Sequence, residues 1–259
     1  MKTVHFTYAY LLDPTHEITV ALIGAGGTGS QALTCLGRLD ASLVALGHPG
    51  LYVTVYDPDV VTPANMGRQL FTKQDLGLNK ASCTVTRINR FFGTDWDAVS
   101  GAYNGQPANI VMTCTDNIAS RLYVQNVFKT CRSGSHPYED FVYWLDFGNT
   151  RTAGQVILGS VDVRQPASEK FKTASRLPSA TELFDYTQID EQYSGPSCSL
   201  AQALQKQDLF INSTLAQLGC GLLWKLLREC MIEYHGIFLN LDTMKVNPLK
   251  IKSNESQIP

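Results

Sequence analysis

The chain lacks the marks of several protein classes. No apolar run approaches the roughly 18–20 residues of a membrane-spanning helix, so no such helix is expected. The seven cysteines (Cys35, Cys83, Cys114, Cys131, Cys198, Cys220 and Cys230) are odd in number, widely spread and never spaced Cys-x-x-Cys. That speaks against a disulfide framework and against a structural zinc knuckle. Net charge is only −2, which gives no general pull toward nucleic acid or anionic lipid. The opening "MKTVHFTYAYLLDPTHE" has neither the long apolar stretch nor the small-residue cleavage site of a secretory signal, so a cytoplasmic address is expected. Internal repeats and low-complexity tracts are absent too. What remains is 259 residues, 44% hydrophobic and 17% charged, the composition of one ordinary globular unit with a substantial core.

The order of patterns along that unit is informative. "TVALI" is a short apolar strand that runs into glycines, and "SQALTCLGRLDASLVALG" behind it has apolar positions at helical spacing. "LYVTVYD" then alternates as a second strand. Residues 58–79 read as loop, "NKASCTVTRINRFF" as a helix, "NIVMTCTDN" as a buried strand, and "ASRLYVQNVFKTC" as a helix. "FVYWLDFGN" and "AGQVILGSV" supply two more strands. This β/α alternation predicts a Rossmann-like, mostly parallel sheet with helices on both faces. Residues 18–160 form the expected nucleotide-binding core within a single domain, 1–259. Residues 162–199 are polar and irregular, a length of loop that is usually functional, and are expected to be a mobile crossover segment. Residues 200–259 bring a long helix and a late strand, "GIFLNLDTMKV", expected as a C-terminal antiparallel extension.

At the first turn, Gly24-x-Gly26-x-x-Gly29 has the dinucleotide spacing. Gly24 allows the tight turn, Gly26 lets backbone approach phosphate, and Gly29 lets helix pack on strand. Phosphate would then meet the N–H groups and dipole of the helix start. Asp57, ending the second strand, is placed either to accept from ribose hydroxyls or to serve as a turn acid before Pro58. No His or Lys with an acid partner marks a hydride-transfer site. Two further polar clusters suit phosphate chemistry instead. "NMGRQ" puts Arg68, with its planar fork of donors, just beyond the second strand. Lys80 stands at a helix start, where a cation opposes the dipole unless an anion lies between, or else it is an ordinary exposed lysine. Asp116, at the end of "IVMTCTD", falls in the crevice beyond the strand ends. It reads as a Mg²⁺ ligand beside a triphosphate or as the cap of the next helix.

Taken together and in this order, "GAGGTG", "D…NMGRQ", "GLNK" and "CTDN" resemble the adenylating domain of the ThiF, MoeB and ubiquitin-activating enzyme family. The similarity extends to Gly154-Gln155 and to "SCSLAQALQKQDLFINSTLAQLGCGLLWKLL", and the "GIFLNLDTMKVNPLKI" ending resembles the ThiF branch of PRTRC systems. The resemblance implies ATP-dependent adenylation of a carboxylate, with release of pyrophosphate. The expected acceptor is the C-terminal glycine of a small ubiquitin-like or sulfur-carrier protein, and the expected assembly is a homodimer. It also implies residue roles. The turn, Gly27 included, contacts ATP; Asp57 binds ribose; Asn65 and Arg68 contact phosphate; Lys80 neutralises charge; and Asp116 holds Mg²⁺ with Asn117 beside it. Cys198 matches a cysteine that is a nucleophile in sulfur-transfer members, or is simply a small residue here. The family's usual arginine before the first strand is missing, leaving Lys2 or His5 as substitutes. Its paired Cys-x-x-Cys zinc ligands are missing as well, so no zinc is expected, and the length leaves no room for a separate cysteine domain. Other readings stay open: a non-catalytic ATP-binding partner, a tRNA-modifying adenylating enzyme, or an NAD-dependent dehydrogenase.

Overall fold

The computed structural model describes residues 1–67, 69–130, 140–186 and 207–252. Its elements run β1 (Lys2–Phe6), β2 (Ile18–Ile23), α1 (Gly27–Ala45), β3 (Leu51–Tyr56), α2 (Lys80–Phe92), β4 (Asp97–Val99), β5 (Ile110–Thr113), α3 (Ile118–Thr130), β6 (Tyr143–Asn149) and β7 (Ala153–Ser160). There follow β8 (Phe171–Thr173), α4 (Ala180–Leu183), α5 (Ile211–Glu229), β9 (Met231–Ile232), β10 (Tyr234–Asn240) and β11 (Lys245–Lys250). Eight strands form one sheet in the order β11-β10-β7-β6-β5-β2-β3-β4. The half from β4 to β6 is parallel and the rest antiparallel. This is the expected Rossmann-like, mostly parallel sheet with a C-terminal antiparallel extension, except that the antiparallel part already begins at β7, which returns directly alongside β6.

Side-chain parity along the strands explains why both faces are covered. Val20 and Leu22 of β2, Val53 and Val55 of β3, and Ile110 and Met112 of β5 pack with α1, α2 and α5. Ala21, Ile23, Val111 and Trp144 point the other way, to Val124 and Phe128 of α3. Strands buried on both sides must be apolar throughout, hence "TVALI" and "NIVMT". Each fully buried Leu, Ile or Val contributes about 1.5–3 kcal/mol, so this two-sided packing fixes the strand ends rigidly. Helix ends follow local rules. Asn79 Oδ1 caps α2 by accepting from Ser82 N–H at 3.0 Å, and Gly93 closes that helix in the left-handed region with φ 76°.

The structure adds to the sequence reading in three places. Residues 58–79 contain two single-turn helices, at Pro63–Asn65 and Lys73–Asp75, each held by a reciprocal threonine cap. The late strand is a hairpin, β10 with β11, turned where Thr243 N–H donates to Asn240 Oδ1 at 3.0 Å. A second sheet, β8-β1-β9, joins the N-terminal strand to distant parts of the chain. Among the described residues no helix is long and apolar enough to cross a membrane.

His5 of β1 is fully buried beneath this second sheet. Its Nδ1 lies 2.8 Å from the Ala174 carbonyl and its Nε2 2.9 Å from the Tyr143 hydroxyl. A carbonyl only accepts, so Nδ1 carries the proton and Nε2 accepts from Tyr143, whose oxygen in turn accepts from Tyr8 N–H at 3.0 Å. A neutral imidazole satisfies every partner. His5 is therefore engaged within its own chain, and Lys2 makes an exposed ion pair with Glu233 at 2.8 Å. Burial, opposed by the Ala174 bond and helped by nearby His235, pulls the His5 pKa down to about 4. Because the folded value lies below the unfolded one, His5 contributes its stability above about pH 6.5 and loses it as pH falls toward 4. The expected loss is about 3 kcal/mol at most. Urea unfolding at pH 7, 6, 5 and 4 should show His5→Gln with the flatter profile; equal slopes for the two proteins would contradict this account.

Candidate active site

The turn between β2 and α1 sits at the middle of the sheet, where β3 lies to one side of β2 and β5 to the other. That is the topological switch point, where the outward-running connections part and leave a crevice beyond the strand ends. Two glycines are demanded by contact. Gly24 has φ +92°, and a Cβ there would lie 3.0 Å from the Cys114 carbonyl oxygen. A Cβ on Gly29 would lie 1.8 Å from the Gly24 carbonyl oxygen, so any side chain would force helix and turn apart. Gly26 precedes α1 and Gly27 is its first residue, both partly exposed. The first turn of this 19-residue helix thus faces the crevice with its N–H groups and positive dipole end.

Asp57 closes the turn from the side. Its Oδ2 accepts from Ala25 N–H at 2.6 Å and its Oδ1 from Asp59 N–H at 2.8 Å. Burial pushes the carboxyl up; the two backbone bonds and the charge of Lys80 pull it back, leaving it above its ordinary value. Lys80 is buried at the start of α2, with its Nζ 2.8 Å from Asp59 Oδ2. Asn79 ties the group together, donating from Nδ2 to the carbonyls of Asp57 and Asp59 at 2.7 and 3.1 Å. The cation that opposes the helix dipole is therefore buried and paired with Asp59 rather than exposed.

The segment after β3 lies over the turn. Asn65, nearly buried, commits its Oδ1 to Thr62 N–H and Oγ1 at 2.8 and 3.0 Å, which leaves its amide N–H groups as the donors it could offer a phosphate. Gln69 N–H donates to the Asn65 carbonyl at 2.9 Å, and Leu70 N–H reaches Ser30 Oγ at 3.5 Å, tying the segment to the first turn of α1. Arg68 lies outside the described residues, as does Cys198, and so does the 187–199 part of the expected crossover segment.

Asp116 and Asn117 lie one strand over, just beyond β5. Asn117 Oδ1 accepts from Ser120 N–H at 3.3 Å, so the cap of α3 falls to Asn117. Asp116 is exposed and takes no hydrogen bond or ion pair among the described residues. Cys114, two residues before it, touches both Gly24 and Gly29. Burial, with nearby Asp146, pushes that thiol up, so it stays protonated at neutral pH. Among the described residues no group of three or more His, Cys, Asp and Glu is placed to hold a metal. Magnesium on phosphate needs only one or two carboxylates, so Asp116 fits that chemistry.

Behind the crevice lies a group the sequence reading did not pick out. Asp146, in the middle of β6, is fully buried. It takes Arg121 Nε at 2.9 Å, the Thr113 hydroxyl, and Tyr186 Oη at 3.3 Å. Arg121 also donates to the Phe147 carbonyl at 2.6 Å and lies 5.7 Å over the Tyr186 ring. Trp144 Nε1 donates to Thr113 Oγ1 at 2.9 Å. The signal was present as one acid inside an apolar strand, "YWLDFGN".

Comparison with known proteins decides the lineage. The ThiF family model matches residues 11–257. The chain belongs to the ThiF family. Two curated relatives are ubiquitin-like modifier-activating enzyme 5 of Drosophila virilis, 28% identical over 127 residues, and of Drosophila melanogaster, 30% over 125. Each match covers 40% of this chain and 29% of the relative, so the chain spans under a third of their length in the aligned part. Among solved structures, E. coli MccB with ATP superposes with a TM-score of 0.60 at 13% identity, covering 94% of this chain and 65% of that one. PaaA superposes with a TM-score of 0.57 at 12% identity, over 90% and 64%. At these identities the structural likeness speaks for the fold.

Proposed function

We propose that this ThiF-family chain uses ATP to adenylate a carboxylate, namely the C-terminal glycine of a small ubiquitin-like or sulfur-carrier protein. The observation that carries the reading is the gathering of Asp57, Lys80 and the β5 end around one glycine turn at the switch point. The enzyme-5 relatives are activators of ubiquitin-like modifiers, and MccB was solved with ATP, which supports the nucleotide and the acceptor class.

In this reading a carboxylate oxygen attacks the α-phosphorus. A new O–P bond forms, the bond to the bridging oxygen breaks, and pyrophosphate leaves with that electron pair. The substrate carboxylate is already ionised at neutral pH, so no general base is needed. The catalytic problem is repulsion between anions, and fixed positive charge is the remedy. The α1 N-terminus cradles phosphate, Asn65 and Arg68 donate to phosphate oxygens, and Lys80 offsets their charge. Asp57 accepts from ribose. Asp116, with Asn117 beside it, would hold a magnesium ion against the phosphate oxygens, and that ion would supply charge neutralisation to the leaving group. A homodimer in the cytoplasm belongs to the same reading, carried from the family.

The test is ATP–pyrophosphate exchange against a panel of small proteins ending in glycine. Exchange that depends on one of them is expected. ATP at 100 times its dissociation constant should also stabilise the fold by about 2.7 kcal/mol. Stabilisation by NAD and not by ATP, with no exchange on any acceptor, would overturn the reading.

A further inference from the structure

Helices α1 and α5 begin side by side. Thr28, the second residue of α1, and Asn212, the second of α5, are 6% and 3% exposed, and the Thr28 hydroxyl donates to Asn212 Oδ1 at 2.9 Å. Asn212 Nδ2 donates in turn to Gln207 Oε1 at 2.9 Å, in the stretch that leads into α5. Farther along, Cys220 Sγ lies 3.9 Å from the Ala32 carbonyl oxygen, so the two helices run in the same direction with both N-termini at the crevice. Below the Thr28–Asn212 bond, Leu33 and Leu36 of α1 cluster with Leu215 and Leu223 of α5.

Apolar contacts hold two helices together without fixing their register, because burial is not directional. A buried hydroxyl–amide bond is directional, but it costs desolvation, and an apolar pair of the same shape would stabilise the seam about as well. What the polar pair adds is register, as a buried asparagine does in a coiled coil. Register counts most at this end of the helices. The first turn of α1 faces the crevice with its N–H groups and positive dipole end, and α5 brings a second positive end beside it. The Thr28 hydroxyl gives its proton to α5 and not to the crevice, so its part at the turn runs through Asn212. We infer that Asn212 is a positioning residue of the nucleotide site: through Thr28 it fixes the start of α1 against the start of α5, and so sets how tightly that turn holds the triphosphate. The inference rests on the nucleotide reading above and deepens it.

The experiment is calorimetric titration of the whole chain with ATP, for the wild type, Thr28→Val, Asn212→Leu, the double variant and Thr28→Ser, with thermal unfolding of each. Thr28→Val and Asn212→Leu should each weaken ATP binding about tenfold, the worth of one hydrogen bond. The double variant should bind no more weakly than either single one, because the same bond is missing from all three, and Thr28→Ser, which keeps the hydroxyl, should stay within about twofold of the wild type. Losses that multiply to about a hundredfold in the double variant would mean that the two side chains act independently, and would refute the positioning role. A bond that serves the seam alone would lower the unfolding midpoints and leave ATP affinity intact in the folded variants, which refutes the role as well. If Asn212→Leu fails to fold, Thr28→Val is set against Thr28→Ser, and equal ATP affinity in those two overturns the inference alone. A wild type that binds no ATP brings down the nucleotide reading along with it.

Discussion

Asp116→Ala is expected to slow ATP–pyrophosphate exchange by about 10²-fold or more, since it removes the carboxylate proposed to hold charge neutralisation on the triphosphate. The unfolding temperature should move by no more than about 2 °C. The two halves of this expectation come from the same observation. Asp116 is exposed, takes no partner among the described residues, and leaves the capping of α3 to Asn117. A side chain that does nothing for the fold can be removed without structural penalty, so any loss is a loss of chemistry. Asn117→Ala is the useful contrast: it deletes a helix cap and should lower the midpoint as well. Exchange at the wild-type rate in Asp116→Ala, assayed with the acceptor that supports it, would remove the metal-holding role from this residue.

The parts legible in the sequence were those where a local pattern and a tertiary demand agree. β2, β3 and β5 are apolar throughout because each is covered on both faces, and the glycine spacing is dictated by contacts within one turn. The N-terminal strand was missed for the opposite reason. "KTVHF" is five residues with one face polar, and it becomes a strand only by pairing with residues 171–173 and 231–232. Nothing local announces such a partner. At the site, Asp57 and Lys80 could be named in advance because each sits at an element end. That Lys80 is paired to Asp59, and that Asn79 clamps both acids, depends on how α2 returns to β3, which spacing alone does not give. Asp146 and Arg121 were passed over because they lie inside elements, where a charged residue disturbs the pattern without breaking it.

That buried pair carries the largest expected effect on stability. Asp146→Ala leaves Arg121, 7% exposed at its side chain, with no counter-charge and strips Thr113 and Tyr186 of a shared acceptor. Breaking a buried ion pair from one side costs about 3–5 kcal/mol, because the remaining charge is stranded. For a chain of this size that is a fall of about 10 °C in the unfolding midpoint. Asp146→Asn keeps acceptor and shape but not charge and should fall between. The double variant Asp146→Ala/Arg121→Met is the decisive measurement: with the stranded charge gone, it should recover part of what the single change lost, giving a coupling energy of about 1 kcal/mol or more. The position of the pair gives the loss a second consequence. Arg121 is one turn along α3 from Asn117, and Thr113 is the last residue of the strand that delivers Cys114 against Gly24. Loosening them should weaken nucleotide binding even at temperatures where the fold survives. Additive single effects, or full ATP affinity in a folded Asp146→Ala protein, would show that this cluster holds up the sheet without setting the geometry of the crevice above it.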